Sequence, residues 1–237
     1  SWTEILGGDG GATEVDFVNP NTIYMEYVNL AIFKTTNGGS SYFKAMNGIP
    51  TGSNYWDGTT DRVLFIAPFV MDPNNSQTLY AGTYRIFKTT NGAANWTAVS
   101  GDLTNSTNQH ISTIAVAKGN SNIVYVGTTN GRVLVSTDAG ANWTLVNSGL
   151  PNLYVTRVAI YKQNPAIAVA TFSGYSSGAK VYKTTNSGQS WTNISGNLPN
   201  IPANCAFINP NNPDHIVVGM DLGVFVTTNN GTSWERQ

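Results

Sequence analysis

A short motif recurs five times along this 237-residue chain and governs what it can become. The copies are Thr35-Thr-Asn-Gly-Gly-Ser-Ser-Tyr42, Thr89-Thr-Asn-Gly-Ala-Ala-Asn-Trp96, Ser136-Thr-Asp-Ala-Gly-Ala-Asn-Trp143, Thr184-Thr-Asn-Ser-Gly-Gln-Ser-Trp191 and Thr227-Thr-Asn-Asn-Gly-Thr-Ser-Trp234. Their common pattern is Ser/Thr-x-Asp/Asn-x-Gly-x-x-Trp/Tyr, and each copy follows a short apolar run such as Val133-Leu-Val or Val224-Phe-Val. The closing aromatics lie 54, 47, 48 and 43 residues apart. Spacing in that range marks a propeller or another repeat array, in which each unit needs a neighbour to bury its apolar face.

The motif's composition has a physical reading. The side-chain oxygen of Asp138, Asn37, Asn91, Asn186 or Asn229 can accept backbone N–H bonds two or three residues ahead and close a tight turn. Glycine two positions later permits positive φ. The second copy carries Ala93 there, so its turn is expected to be distorted. Tyr42, Trp96, Trp143, Trp191 and Trp234 are read as anchors that staple one hairpin of each repeat, through a large apolar surface and, in the tryptophans, an indole N–H that seeks an acceptor.

Charged residues make up only 11% of the chain and the net charge is −1. No Lys/Arg run exists, so no nucleic-acid partner is expected, and no 18-residue apolar run suggests membrane insertion. No stretch holds a helical apolar period. Clusters such as Asn19-Pro-Asn-Thr, Asp72-Pro-Asn-Asn and Asn209-Pro-Asn-Asn-Pro are turn signals between short strands. In the fourth repeat the strands read as 155–161, 167–171 and 180–184, with a fourth starting at Trp191. Cys205 stands alone in an inner strand, where a buried structural thiol is expected. No metal site is expected: His110 and His215 fall on different loops, and no ligand cluster has metal spacing. No cofactor motif is present either.

The repeated pattern resembles the Asp-box, or BNR repeat, found in sialidases, xyloglucanase-type glycosidases, sortilin-type receptor domains and a photosystem assembly factor. The resemblance covers essentially the whole chain. It implies an all-β β-propeller of four-stranded blades, with five blades here (about 7–46, 47–100, 101–147, 148–195 and 196–237) forming one domain or part of a larger ring of about seven. Both Trp2 and Trp234 read as starts of a blade's outer strand, which gives six such starts for five blades. An open edge would invite association.

Strand order puts the motif turns on one face with the turns joining first and second strands. By general propeller behaviour, ligands gather on the opposite face. Ligand-binding candidates there are Tyr55, Trp56, Arg62, Tyr84, Arg85, Arg132 and Tyr175. The long 47–62 loop draws attention because Tyr55 and Trp56 adjoin Asp57, Asp61 and Arg62, and long loops are packed or functional. Trp56 could stack a sugar or fill a gap between the first two blades. Asp16, Glu14 and Glu26 form a loose acidic group with a solvated or paired role.

Resemblance to sialidases would imply three substrate-gripping arginines, but none of the five arginines has the family's Arg-Ile-Pro setting. Xyloglucanase-type hydrolysis would need two carboxylates across a cleft, drawn from Asp9, Asp57, Asp61 and Asp221. Asp221, in Gly219-Met-Asp-Leu-Gly, is similar to a segment near the catalytic acid of those enzymes. Without a convincing acid/base pair, the expectation is an extracellular, bacterial binding or scaffold module for a glycan or a protein. The alternative is a glycoside hydrolase.

Overall fold

The computed structural model describes residues 4–176 and 178–237. The expected outer-strand start at Trp2 lies outside them. The described residues form twenty strands and no α-helix. Each sheet takes four consecutive strands in chain order. The first holds β1 (Gly10–Val15), β2 (Ile23–Tyr27), β3 (Ala31–Thr35) and β4 (Phe43–Lys44). The second holds β5 (Phe69–Asp72), β6 (Asn75–Gly82), β7 (Ile86–Thr89) and β8 (Thr97–Ala98). The third holds β9 (Ile111–Val116), β10 (Val124–Thr128), β11 (Val133–Ser136) and β12 (Thr144–Leu145). The fourth holds β13 (Val155–Ile160), β14 (Ala168–Phe172), β15 (Val181–Thr184) and β16 (Thr192–Asn193). The fifth holds β17 (Ala203–Ile208), β18 (Ile216–Met220), β19 (Gly223–Thr227) and β20 (Glu235–Arg236). Five four-stranded antiparallel meanders of this kind are blades of a β-propeller fold, as the repeat predicts. The chain divides into two compact units, Ser1–Ile111 and Ser112–Gln237.

The turn after the third strand of every sheet is built the same way. Its Ser/Thr hydroxyl is buried in all five copies. That hydroxyl donates to the Asp/Asn Oδ1 two residues on, at 2.8–2.9 Å. It also accepts the N–H four residues on, at 2.8–3.1 Å. The Asp/Asn Oδ1 accepts a backbone N–H four residues ahead of itself, at 2.8–3.0 Å. The reach is therefore at least one residue longer than the simple Asx turn expected, and the Ser/Thr is an equal partner in it. Ala93 does not distort its copy: it adopts φ 63° and donates to Thr89 like the glycines. Alanine tolerates this left-handed position at a cost, and its methyl lies buried.

The closing aromatic does something other than staple its own hairpin. Trp96 Nε1 donates to the Ala45 carbonyl at 2.9 Å, Trp191 to Val146 at 2.6 Å and Trp234 to Ile194 at 2.9 Å. Each acceptor follows the outer strand of the preceding sheet, so the indole joins one sheet to the last. Only Trp143, among these tryptophans, bonds its own turn, at the Gly140 carbonyl. The turn glycines serve the same contact. A Cβ on Gly231 would stand 2.2 Å from the Ile194 carbonyl, and one on Gly188 2.8 Å from Val146 Cβ.

Within the first unit, one core joins Tyr24, Leu30 and Ile32 of the first sheet to Phe69, Leu79, Phe87 and Trp96 of the second. In the second unit, Tyr125, Val133 and Val135 pack on Val155, Val158, Ala168 and Phe172. Val169 and Val181 then pack on Ala203, Ile216, Val218, Phe225 and Trp234. Within each unit, consecutive sheets thus pack face to face. Cys205 corrects an expectation: it is exposed, not buried. It lies on β17 opposite Gly219.

Thr184→Val keeps the shape but strands the N–H groups of Asn186 and Gly188, and should cost about 1–3 kcal/mol in denaturant melts. Asp138→Asn, which copies the other four turns, should leave Tm within about 2 °C. Equal loss in both variants would refute the hydroxyl's role.

Candidate functional site

In the first unit the 47–66 segment gathers most of the nominated residues. Trp56 and Tyr55 remain about half exposed. Their rings do not stand free on a loop face: Trp56 lies 5.1 Å from Phe33, 6.5 Å from Tyr42 and 6.2 Å from Tyr27 between centroids. Tyr55 meets Phe33 at 5.6 Å. The loop therefore folds back over β3 and the start of β4, on the first sheet. Lys44 fixes it there by donating to the carbonyls of Asp57 and Asn54. The gap expected between the first two blades is not where Trp56 sits.

Asp57 and Asp61 border one cleft of about 400 Å³ with Asn29 and Thr59. Neither carboxylate is poised for proton transfer. Asp57 accepts the Asn54 backbone N–H at 2.8 Å, and this bond first, then the Asn54 amide and Lys44, hold its pKa below the usual range. Asp61 takes a two-pronged ion pair from Arg85, at 2.8 and 3.0 Å. Arg62 pairs with Asp102 at 2.8 Å and donates to the Gln109 carbonyl at 2.9 Å. Its guanidinium sits 4.4 Å over the Tyr84 ring, and that of Arg85 lies 4.9 Å from Phe87. These two arginines and Tyr84 thus form an internal brace rather than a grip for a substrate carboxylate. Asp9 lies exposed just ahead of β1, and Arg132 is half buried just ahead of β11 in the other unit.

The second unit brings together a different set. Tyr175, from the β14–β15 loop, is 70% exposed. Its hydroxyl donates to Asp221 Oδ2, in the β18–β19 turn. Asn204, near the start of β17, donates its amide to Asp221 Oδ1 at 2.8 Å. The Tyr175 bond, then the Asn204 bond, lower the Asp221 pKa. The Tyr175 pKa is raised for the same reason. Beneath the loop, the Lys180 ammonium is buried and donates to the carbonyls of Ser176 and Gly178 and to Asn200 Oδ1, at 2.7–3.0 Å. This lysine ties the Tyr175 loop to the segment leading into β17. The unit's other acids stand elsewhere: Asp138 in a motif turn, Asp214 in a first-to-second-strand turn beside Lys183, and Glu235 on β20. Asp221 is accordingly the single carboxylate of this loop cluster. Its remaining lone pairs, beside an exposed aromatic face, suit hydroxyl groups of a ligand. The link from Tyr175 to Asp221 and Asn204 was invisible in sequence, because the three come from two repeats.

The acidic group near the first sheet resolves into separate roles. Asp16 caps the β1–β2 turn by accepting from Val18 and Asn19. Glu26 is fully buried, and accepts the N–H groups of Ala12 and Ala67 at 2.9 Å each. Burial dominates those two bonds and pushes its pKa to about 7. Among the described residues no group of three or more His, Cys, Asp or Glu is placed to hold a metal ion. Among those residues no helix is long and apolar enough to cross a membrane.

No protein-family model matches the sequence, and no curated protein aligns with it significantly. Solved structures do match. The GH74 enzyme of Niastella koreensis superposes with a TM-score of 0.70 at 24% identity, over 96% of this chain and 38% of that one. The GH74 xyloglucanase of Xanthomonas campestris gives 0.67 at 16%, over 95% and 38%. YCF48 bound to D1 peptide gives 0.59 at 14%, over 96% and 68%. The chain thus spans little more than a third of the length of these GH74 structures. At such identities the likeness establishes the β-propeller fold and no activity.

The Glu26 carboxyl should titrate near pH 7 in carbon-detected NMR. Its folded pKa lies above the unfolded 4.5, so its neutral form is favoured in the fold. The stability it contributes is complete below pH 4.5 and is lost as pH rises through 7. A midpoint below 4.5 would show that the two N–H bonds outweigh burial.

Proposed function

We propose that this chain is part of a secreted Asp-box-type propeller that recognises a polyhydroxylated, glycan-type ligand without cleaving it. The observation that carries this reading is the Tyr175, Asp221 and Asn204 cluster. An exposed ring can stack on the apolar face of a sugar, while an ionised carboxylate and an amide accept and donate to its hydroxyls. A glycosidase acid works with its pKa raised and a second carboxylate opposite. Asp221 has its pKa lowered and is the only acid of the cluster. Low net charge and the solved GH74 xyloglucanase neighbour support a neutral polysaccharide as the ligand class. A second reading, hydrolysis, draws its support from Asp57 and Asp61 sharing one cleft. Both acids are there engaged by Asn54 and Arg85.

Calorimetry and affinity electrophoresis with xyloglucan and other soluble β-glucans test the proposal. Binding should fall at least about tenfold, or 1.4 kcal/mol, in Tyr175→Ala. Tm should stay close to that of the parent, because the ring is exposed. No reducing ends should appear on prolonged incubation. Release of reducing ends that Asp57→Asn or Asp221→Asn abolishes would establish the hydrolase instead.

A further inference from the structure

The third strands of the first and fourth sheets end alike, in Lys34-Thr35 and Lys183-Thr184. In both, the lysine ammonium reaches into the motif turn of the next sheet or the turn beside it. Lys183 has three acceptors there: the Pro213 carbonyl, Asp214 Oδ1 and Asn230 Oδ1, at 2.6–3.0 Å. Lys34 has one, the Gly92 carbonyl at 2.8 Å. The repeat identifies what differs. Gly92 and Asn230 are the fourth residues of their motifs, and they donate their N–H groups to the carbonyls of Gln77 and Asp214 in turn. Gly92 has no side chain to offer Lys34, and Gln77 turns its amide nitrogen to Asp16 Oδ2 at 3.2 Å. Nothing beside Lys34 therefore plays the part of the Asn230 carboxamide. Tyr24 pairs with Lys34 across β2 and β3, is wholly buried, and has no hydrogen-bond partner for its hydroxyl. A Cβ on Gly92 would lie 2.7 Å from Gln77 Oε1, 2.9 Å from the Tyr24 hydroxyl and 3.2 Å from Lys34 Nζ, so the three groups converge on one point.

Lys34 and Gln77 also line a cleft of about 420 Å³ together with Asp16, Phe17, Val18 and Ser76. Phe17 and Val18 are 55% and 75% exposed there. Lys34 and Tyr24 hold protons without acceptors, and Gln77 Oε1 is an acceptor without a donor. A carboxamide carries one acceptor oxygen and an N–H donor, and so complements all three. We propose that this cleft binds a peptide segment through an asparagine or glutamine side chain, whose carboxamide takes the part that Asn230 plays beside Lys183. A carboxylate is a poorer occupant. Asp16 already supplies a negative charge, held by the N–H groups of Val18 and Asn19 and by the Gln77 amide, and it balances the Lys34 ammonium. A neutral group enters without adding an unpaired ion to a half-buried site. Phe17 and Val18 offer apolar surface to the residue next to the inserted side chain. The cleft shares no residue with the Tyr175 cluster, so it stands or falls independently of glycan recognition.

The test is an NMR titration of the isotope-labelled 237-residue chain with acetyl-leucyl-glutamine amide, its glutamate counterpart and N-acetylglucosamine. The glutamine peptide should shift the Gly92 and Gln77 amide signals and the signals of the Lys34 side chain. The glutamate peptide should bind at least about tenfold more weakly. Gly92→Asn copies Asn230 and gives Lys34 an acceptor of its own, so it should weaken the glutamine peptide by at least about tenfold. Asparagine tolerates the left-handed backbone at this place, as Asn230 does at φ 58°. Phe17→Ser, at an exposed position, gives a readout that does not depend on the Gly92 variant folding. It should weaken the leucine-bearing peptide and leave Tm near that of the parent. No shift at millimolar peptide would overturn the proposal, and would leave the Tyr24 hydroxyl to an ordered water. Equal binding of the glutamate peptide, or unchanged binding in both variants, would overturn it too. Tighter binding of N-acetylglucosamine at the same signals would assign the cleft to an acetamido sugar instead of a peptide.

Discussion

One buried hydroxyl per repeat organises this protein. The Ser/Thr that ends each third strand gives its proton to an Asp/Asn side chain and takes two backbone N–H groups in return. That arrangement forces two consecutive residues into left-handed backbone, such as Ser187 at φ 58° and Gly188 at φ 82°. The chain then reverses tightly enough to bring the closing aromatic over the preceding sheet. A buried hydroxyl without partners would cost more than its bonds return, so the turn forms completely or not at all. The five-fold recurrence of one small network helps to hold the sheets in register in a chain with only 11% charged residues.

The aromatic converts local order into sheet-to-sheet contact. Because the indole of Trp96, Trp191 or Trp234 bonds a carbonyl just after the preceding outer strand, the second, fourth and fifth repeats are each fastened to their predecessor by a hydrogen bond and by a large apolar surface together. Stability in such an array is divided between the sheets and the seams between them. The seam also accounts for the turn glycine, since any side chain on Gly231 would collide with the carbonyl of Ile194. The sequence motif therefore encodes an interface rather than a hairpin.

The repeat was legible in sequence because its spacing, turn residues and strand patterns are all local. Strand positions in the fourth repeat came out within a residue or so, and the polar turns fell where Asn and Pro cluster. What was not legible depends on which side of a sheet has a neighbour. Cys205 sits in an apolar strand and reads as core, yet it is exposed. Trp56 reads as a ligand platform or a plug, yet it rests on Phe33 and Tyr42, which no spacing rule connects to it. Arg62 and Arg85 read as ligand contacts, yet Asp102 and Asp61 occupy them. The outcomes for Trp56, Arg62 and Arg85 turn on partners more than a dozen residues away in sequence.

The same distinction separates the candidate acids. Glu26 and Asp221 are both carboxylates near the ends of second strands, and their settings push them in opposite directions. Glu26 is sealed between Gly11 and Ala67, where lost hydration outweighs two N–H bonds and favours the neutral form. Asp221 is open to water and takes Tyr175 and Asn204 as donors, which favour the charge. Proton donation at neutral pH needs the first electrostatic setting and the exposure of the second. Neither residue has both. Glu26 holds the raised pKa away from solvent and Asp221 holds the exposure without it, and that separation supports the recognition reading proposed for the loop cluster around Tyr175.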